Sequence, residues 1–270
     1  MAATGTKKKK KKIKPIAKPY LKGPVFCGLT VQRALKLLCY PLIFMLIHLF
    51  IGPVFSFEGS LILRVVMNTL IIVFCIGLMY ASGQNTGYAD ITIAEIMYTH
   101  TQEGKPVTDA ERERCFHPLR GALTAALSYL PILILAVMYA LTAVRQTLTL
   151  TALPGWVSGY SYQKEFAAPL QYYMTSDPLT VQQALRIVMR LLIYPYVNLV
   201  GARSTDAVLL IDRLAPLTLS LPYIGYAVGY LRGRYSRAMV HGSVAAARRK
   251  RGKKVRKPAP RKRKVPEELV

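Results

Sequence analysis

Long apolar runs without a charge are the feature that most restricts what this chain can fold into. The longest covers residues 121–144, which are 24 uncharged residues between Arg120 and Arg145. A helix of about 20 mainly apolar residues crosses the roughly 30 Å hydrocarbon core of a bilayer. Because lipid offers no hydrogen bonds to the backbone, such runs are typical of transmembrane helices. We therefore expect an all-α, polytopic integral membrane protein.

Three further runs have a suitable length. They cover residues 37–55, 61–81 and 214–231, which are 19, 21 and 18 residues long. Arg64 lies one turn inside the second run, from where its long side chain can reach the nearer headgroups. The sequence thus predicts about four transmembrane helices.

A fifth apolar stretch is too short to cross. Arg190 interrupts it and leaves only 12 uncharged residues, 191–202, which as a helix reach about 18 Å. Arg186 and Arg190 share one face of this amphipathic pattern. We expect an interfacial or re-entrant helix over residues 182–202.

The charge is concentrated at the two ends of the chain. The formal net charge is +24; residues 1–36 hold 11 basic and no acidic residues, and residues 232–270 hold 15 basic and 2 acidic ones. Like charges that bury nothing apolar repel one another. We expect a disordered basic arm over residues 1–28, a transmembrane domain over 29–231 and a disordered basic tail over 232–270.

These charges also predict the orientation, because segments rich in Lys and Arg stay in the cytoplasm. Two cytoplasmic ends require an even number of spans, which agrees with four. The segment 82–120 is then a cytoplasmic loop, and residues 145–213 are external. We expect a multi-pass plasma-membrane protein, and the lack of an Asn-x-Ser/Thr acceptor favours a bacterial inner membrane.

A weak internal repeat allows another arrangement. Residues 29–36 recur at 179–186, and Tyr40-Pro41 recurs as Tyr194-Pro195. Repeats of membrane helices are a common plan for transporters. A small transporter, with an inverted second copy and five crossings, is therefore an alternative.

The basic ends are the strongest candidates for a binding function. The residues concerned are Lys7, Lys8, Lys9, Lys10, Lys11, Lys12, Arg248, Arg249, Lys250, Arg251, Lys253, Lys254, Arg261, Lys262, Arg263 and Lys264. Anionic lipids attract such segments by about 1 kcal/mol per basic residue. We expect a non-enzymatic membrane scaffold or assembly factor that binds anionic lipid. The sequence does not decide whether it forms a homo-oligomer or a hetero-oligomer. A tether for ribosomes or other nucleic acid is the alternative, because phosphates bind lysines without regard to sequence.

Intramembrane polar residues are the remaining candidates. They are His48, Arg64, Asn68, Asp212 and Arg213. Buried ionisable groups in membranes are often functional, but they also join helices by hydrogen bonds. The sequence contains no phosphate-binding loop, nucleophile elbow or metal-ligand motif. We therefore expect no catalytic residue, cofactor or metal site.

Overall fold

Seven helices account for most of the described chain. The computed structural model describes residues 14–51, 60–143, 181–200 and 205–255, and in these residues it contains no strand. The helices are α1 (Gly28–Ile51), α2 (Leu61–Gln102), α3 (Asp109–Glu113), α4 (Arg120–Thr142), α5 (Val181–Val200), α6 (Thr205–Arg213) and α7 (Ala215–Val255).

Three of these helices are long and apolar enough to cross a membrane, namely α1, α2 and α4. The pair α6 and α7, bent by 52° at their junction, adds a fourth if the two form one span. The expectation of an all-α polytopic membrane protein is confirmed, with three to four candidate spans.

The long helices alternate in direction. The start of α1 meets the second half of α2, where Arg33 contacts Asp90, and Tyr40 further along α1 reaches back to Ser82 at 3.2 Å. In the same way the start of α4 packs on the middle of α7, where a Cβ on Gly121 would meet the Tyr230 ring. Therefore α1 and α4 run one way, and α2 and α7 run the other.

Glycines hold α2 and α7 side by side in parallel. Gly229 of α7 lies against the Tyr80 carbonyl of α2, and Gly83 of α2 lies against the Tyr226 carbonyl of α7. An added Cβ at either position would overlap the neighbouring backbone. Small residues allow this close approach of membrane helices, which relies on van der Waals packing rather than the hydrophobic effect.

The same contacts reveal a local two-fold relation. Gly83 and Tyr80 of α2 correspond to Gly229 and Tyr226 of α7 with one sequence offset, and each glycine packs on the other helix's tyrosine carbonyl. These residues lie outside the segments of the predicted internal repeat, which stays a prediction. However, the two helices are parallel, so the inversion expected for a five-crossing arrangement does not hold for this pair.

The expectation that residues 82–120 form a loop is wrong for residues 82–102. Helix α2 continues through Gln102 without a break. The physical reason is that Gly87 and Ala94 continue its small-residue face, with Gly87 against the Tyr230 carbonyl and Ala94 fully buried. A short connection then leads to α3, which Thr108 and Glu111 start with the expected capping box. Hydrogen bonds from the Thr108 backbone and hydroxyl lower the pKa of the Glu111 carboxyl.

The expectation of disordered ends is corrected for the described parts. Helix α7 continues through Val255, and residues 14–27 lie along the bundle, where the Ile16 amide donates to the Ala238 carbonyl at 3.0 Å. Residues 14–27, and α7 as far as His241, have partners elsewhere in the chain. Residues 1–13 and 256–270 lie outside the described residues, as do residues 145–180 and 201–204 of the expected external segment.

The short amphipathic helix is present as α5. One face of it packs on the bundle, where Met189 and Ile193 are fully buried with Ala136 and Tyr139 of α4 and Ala215 of α7. Its other face carries exposed apolar residues such as Ile187 and Val188, and whether the helix is interfacial or re-entrant stays a prediction. The tertiary partners that bury it are far away in sequence, so the amphipathic pattern could not reveal them.

Candidate functional site

A buried carboxylate joins four helices at one end of the bundle. Asp90 of α2 is 1% exposed and accepts two hydrogen bonds of 2.7 Å from the guanidinium of Arg33 in α1. The Tyr230 hydroxyl of α7 donates to the same carboxylate at 2.7 Å. Arg120 of α4 lies 3.7 Å from it. A bidentate pair with additional donors is the geometry that makes a buried charge tolerable.

Arg120 also fixes the N-terminal segment. Its fully buried guanidinium donates to the Cys115 carbonyl at 2.8 Å and to the Pro24 carbonyl at 2.5 Å. Nearby, the Leu21 amide donates to the Ala94 carbonyl at 3.1 Å. The basic arm is therefore attached to α2, α4 and α7 at the end where α1 begins.

A second carboxylate, that of Glu95, joins α2 to α7 further along both helices than Asp90 does. Glu95 of α2 accepts from Arg237 at 3.0 Å and contacts the His241 ring at 2.8 Å. In addition, the Gln84 amide of α2 donates to the hydroxyl of Ser236, the residue before Arg237, at 2.7 Å. These pairs hold α7 beside α2 after Arg232, where the sequence of α7 has become basic.

The surface around these buried pairs carries exposed cations. We call them the proximal set: Lys14, Lys18, Lys22, Lys36, Arg232 and Arg234. His117 lies at the same end, near Arg120 and Lys22. Its burial, together with the positive charges of Arg120 and Lys22, lowers its pKa below the ordinary value.

The distal cations predicted from the sequence are only partly described. Arg248 and Arg249 are exposed on α7. The backbone at Lys250, Arg251, Lys253 and Lys254 is helical, within α7. The lysines Lys7, Lys8, Lys9, Lys10, Lys11 and Lys12, and the residues Arg261, Lys262, Arg263 and Lys264, lie outside the described residues.

His48 lines a small cavity between the helices. The cavity has a volume of about 40 Å³, and three prolines contribute to its wall, Pro41, Pro195 and Pro222. The Nδ1 atom of His48 lies 3.1 Å from the Leu191 carbonyl, so it carries the proton and donates to α5. The cavity is lined mostly by apolar side chains.

The other intramembrane candidates serve separate helix contacts. The buried Asn68 amide donates to the Arg64 carbonyl one turn earlier at 2.8 Å. Asp212 is 3% exposed and lies 3.1 Å from Arg190, whereas Arg213 is exposed. The structure does not bring these residues and His48 together as one polar path.

The ion pair between Arg190 of α5 and Asp212 of α6 indicates that Asp212 positions α5, and this role can be tested. We expect Arg190→Gln to weaken the packing of α5 by about 1 kcal/mol, because Asp212 loses a charged partner while Arg190 is itself partly exposed. Amide hydrogen exchange across α5 should become roughly five-fold faster. Arg186→Gln, one turn earlier on the same helix, is the matched control and should leave the exchange unchanged. Equal effects of the two substitutions would contradict this role.

Sequence reasoning missed Asp90, Glu95 and Arg120 as structural residues, because it placed them in or beside a loop. One signal was available. Gly83, Gly87 and Ala94 recur on one face with helical spacing, which indicates that α2 continues past residue 81.

In the described ranges, no three His, Cys, Asp or Glu side chains lie close enough to hold a metal ion. Comparison with known proteins gives no relative: no family model, no curated protein and no solved structure matches this chain. The functional proposal therefore depends on the chain's own geometry and charge.

Proposed function

We propose that this protein is a non-enzymatic membrane scaffold whose basic end binds anionic lipid headgroups. The supporting observation is the hydrogen bond from the Ile16 amide to the Ala238 carbonyl, which attaches the basic arm beside the basic part of α7. Both polycationic segments therefore leave the bundle at the same end.

Two members of the proximal set, Lys36 and Arg232, lie next to apolar runs and therefore close to the expected headgroup level. Arg232 directly follows the apolar residues 214–231, and Lys36 directly precedes the apolar residues 37–55. Chain length keeps Lys7 within about 25 Å of Lys14, since an extended chain spans at most about 3.6 Å per residue. Each basic residue held near an anionic surface contributes about 1 kcal/mol.

We further propose that the protein resides in the plasma membrane with both ends in the cytoplasm, as in a bacterial inner membrane. The excess of Lys and Arg at this end, together with the anionic cytoplasmic leaflet, supports that orientation. A scaffold of this kind would gather anionic lipids, or subunits of its own or another kind, around one end of the bundle.

The lipid proposal is tested by energy transfer in nanodiscs. Cys39 is exposed on α1, while Cys27, Cys75 and Cys115 are buried, so a donor dye can be attached to the folded protein at one native position. Acceptor-labelled phosphatidylglycerol is compared with acceptor-labelled phosphatidylcholine in mixed bilayers. We expect phosphatidylglycerol to be enriched around the protein, and we expect replacement of the proximal set by Gln to reduce that enrichment at least about two-fold.

Two controls make the result specific. Exchanging Lys for Arg and Arg for Lys within the proximal set should keep the enrichment, because the charge is preserved. Arg213→Gln, where α6 ends, should also leave it unchanged. The proposal is wrong if the Gln variant retains the enrichment of the native protein.

A further inference from the structure

The second half of α7 carries its most basic segment away from the bilayer. Arg232 is the first cation after the apolar residues 214–231, and Arg248 follows 16 residues later in the same unbroken helix. At 1.5 Å per residue this separation is about 24 Å along the helix axis. The segment of interest, which we call the distal set, consists of Arg248, Arg249, Lys250, Arg251, Lys253 and Lys254.

This part of α7 cannot simply fold back onto the membrane. Arg237 and His241 both contact Glu95 of α2, so α7 is attached to α2 well beyond Arg232. The headgroup layer is only about 5 to 8 Å thick on each side of the hydrocarbon core. Electrostatic attraction is screened over about 8 Å at physiological salt. The distal set therefore lies beyond the reach of the lipid surface that faces the proximal set.

The sequence of the segment also differs from that of a membrane-surface helix. Such a helix has one cationic face and one apolar face. Consecutive helical positions are about 100° apart, so a sequence run of four successive cations, Arg248, Arg249, Lys250 and Arg251, is not the pattern of a helix with a single cationic face. Between His241 and Val255 the only large aliphatic residue is Val244. A flat anionic surface could contact only one side of this helix.

We propose that the distal set binds the phosphate backbones of a double-helical nucleic acid. The two strands that border a groove place phosphates on both sides of an inserted helix, and the major groove of a B-form duplex admits an α-helix. A run of cations without a single cationic face matches such a partner better than it matches a bilayer. The segment offers no aromatic residue for base stacking, so binding is independent of sequence and depends on salt.

The test uses the full chain in nanodiscs of neutral phosphatidylcholine. Binding of fluorescein-labelled RNA and DNA hairpins is measured by anisotropy between 50 and 200 mM salt. Replacing the distal set by Gln should weaken binding at least about ten-fold. It should also reduce the slope of log affinity against log salt by roughly 4 to 5, since each lost phosphate contact contributes about 0.7 to 0.9.

The proximal set is the matched control, because its replacement by Gln removes the same number of charges. We expect that variant to lose less than about three-fold in affinity. Circular dichroism and the lipid energy transfer of the distal variant should match the native protein. Preference for RNA over DNA hairpins, or the reverse, identifies the source of the phosphates.

The inference is overturned if the native protein does not bind either hairpin at 50 mM salt. It is also overturned if the distal variant binds as well as the native protein, or if both variants lose affinity equally. Because the lipid assay contains no nucleic acid and the hairpin assay contains no anionic lipid, the two proposals can fail independently.

Discussion

Replacing Asp90 with alanine is expected to destabilise the bundle by about 3 to 5 kcal/mol, which is the usual effect of removing one partner from a buried ion pair. Arg120 is fully buried and would lose its nearest carboxylate, and Arg33 would lose both of its short hydrogen bonds. Tyr230 would lose an acceptor as well. The four helices that meet at this carboxylate should therefore separate more easily.

The measurement is thermal unfolding in detergent micelles, followed by a dye that becomes fluorescent on reaction with thiols. Cys27, Cys75 and Cys115 are buried and react only after unfolding, while Cys39→Ser removes the exposed background. For a chain of this size the expected shift is a decrease of roughly 6 to 20 °C in Tm. Asp109→Ala, which removes an exposed carboxylate from α3, is the control and should leave Tm unchanged. An unchanged Tm for Asp90→Ala would show that Asp90 does not hold the helices together.

Gly229→Ala and Gly77→Ala are expected to act in opposite directions. A Cβ on Gly229 would overlap the Tyr80 carbonyl, and neither helix backbone can give way, whereas no atom of the described residues lies within 4 Å of a Cβ on Gly77. Overpacking of this kind typically costs about 1 to 3 kcal/mol and occasionally more. An unobstructed glycine to alanine change in a helix adds up to about 1 kcal/mol of stability.

The same thiol-reactive dye assay compares the two variants. Gly229→Ala should lower Tm, and Gly77→Ala should raise it slightly or leave it unchanged. Gly83→Ala, the two-fold counterpart of Gly229 against the Tyr226 carbonyl, should behave like Gly229→Ala. If all three variants shift Tm in the same direction, helix propensity dominates and the close contact between α2 and α7 is not important for stability.

The contacts that these two predictions test also hold the basic part of α7 in place beside α2. Asp90 and Glu95 lie on the face of α2 that meets α7, and the glycines bring the helices close enough for those pairs to form. A variant that separates α2 from α7 should therefore also release the projecting half of α7. The affinity of such a variant for nucleic acid would then depend on the position of the distal set as well as on its charge.

Part of this fold could be predicted from local sequence. Each uncharged run, such as residues 121–144, requires an internally hydrogen-bonded helix whatever its neighbours are, because lipid leaves the backbone no other partner. The capping box at Thr108 and Glu111 is equally local. These features depend on residues within one or two turns of each other.

The candidate site could not be predicted in the same way, because its pairs are distant in sequence. Arg33 and Asp90 are 57 residues apart, and Glu95 and Arg237 are 142 apart. Nothing in either local segment identifies the partner. For the same reason, polar residues at 82–102 indicated a loop, although three of them, Gln84, Asp90 and Glu95, form hydrogen bonds to α7.

The sequence by itself therefore determined the class of the protein, the approximate number of spans and the segregation of positive charge to the two ends. Only the tertiary structure decided that α2 and α7 pack side by side, that residues 14–27 are attached to them, and that α7 continues as one helix through Val255. The physical reason is that burial in lipid and like-charge repulsion act on each segment alone, whereas close glycine contacts and buried ion pairs exist only once distant segments meet.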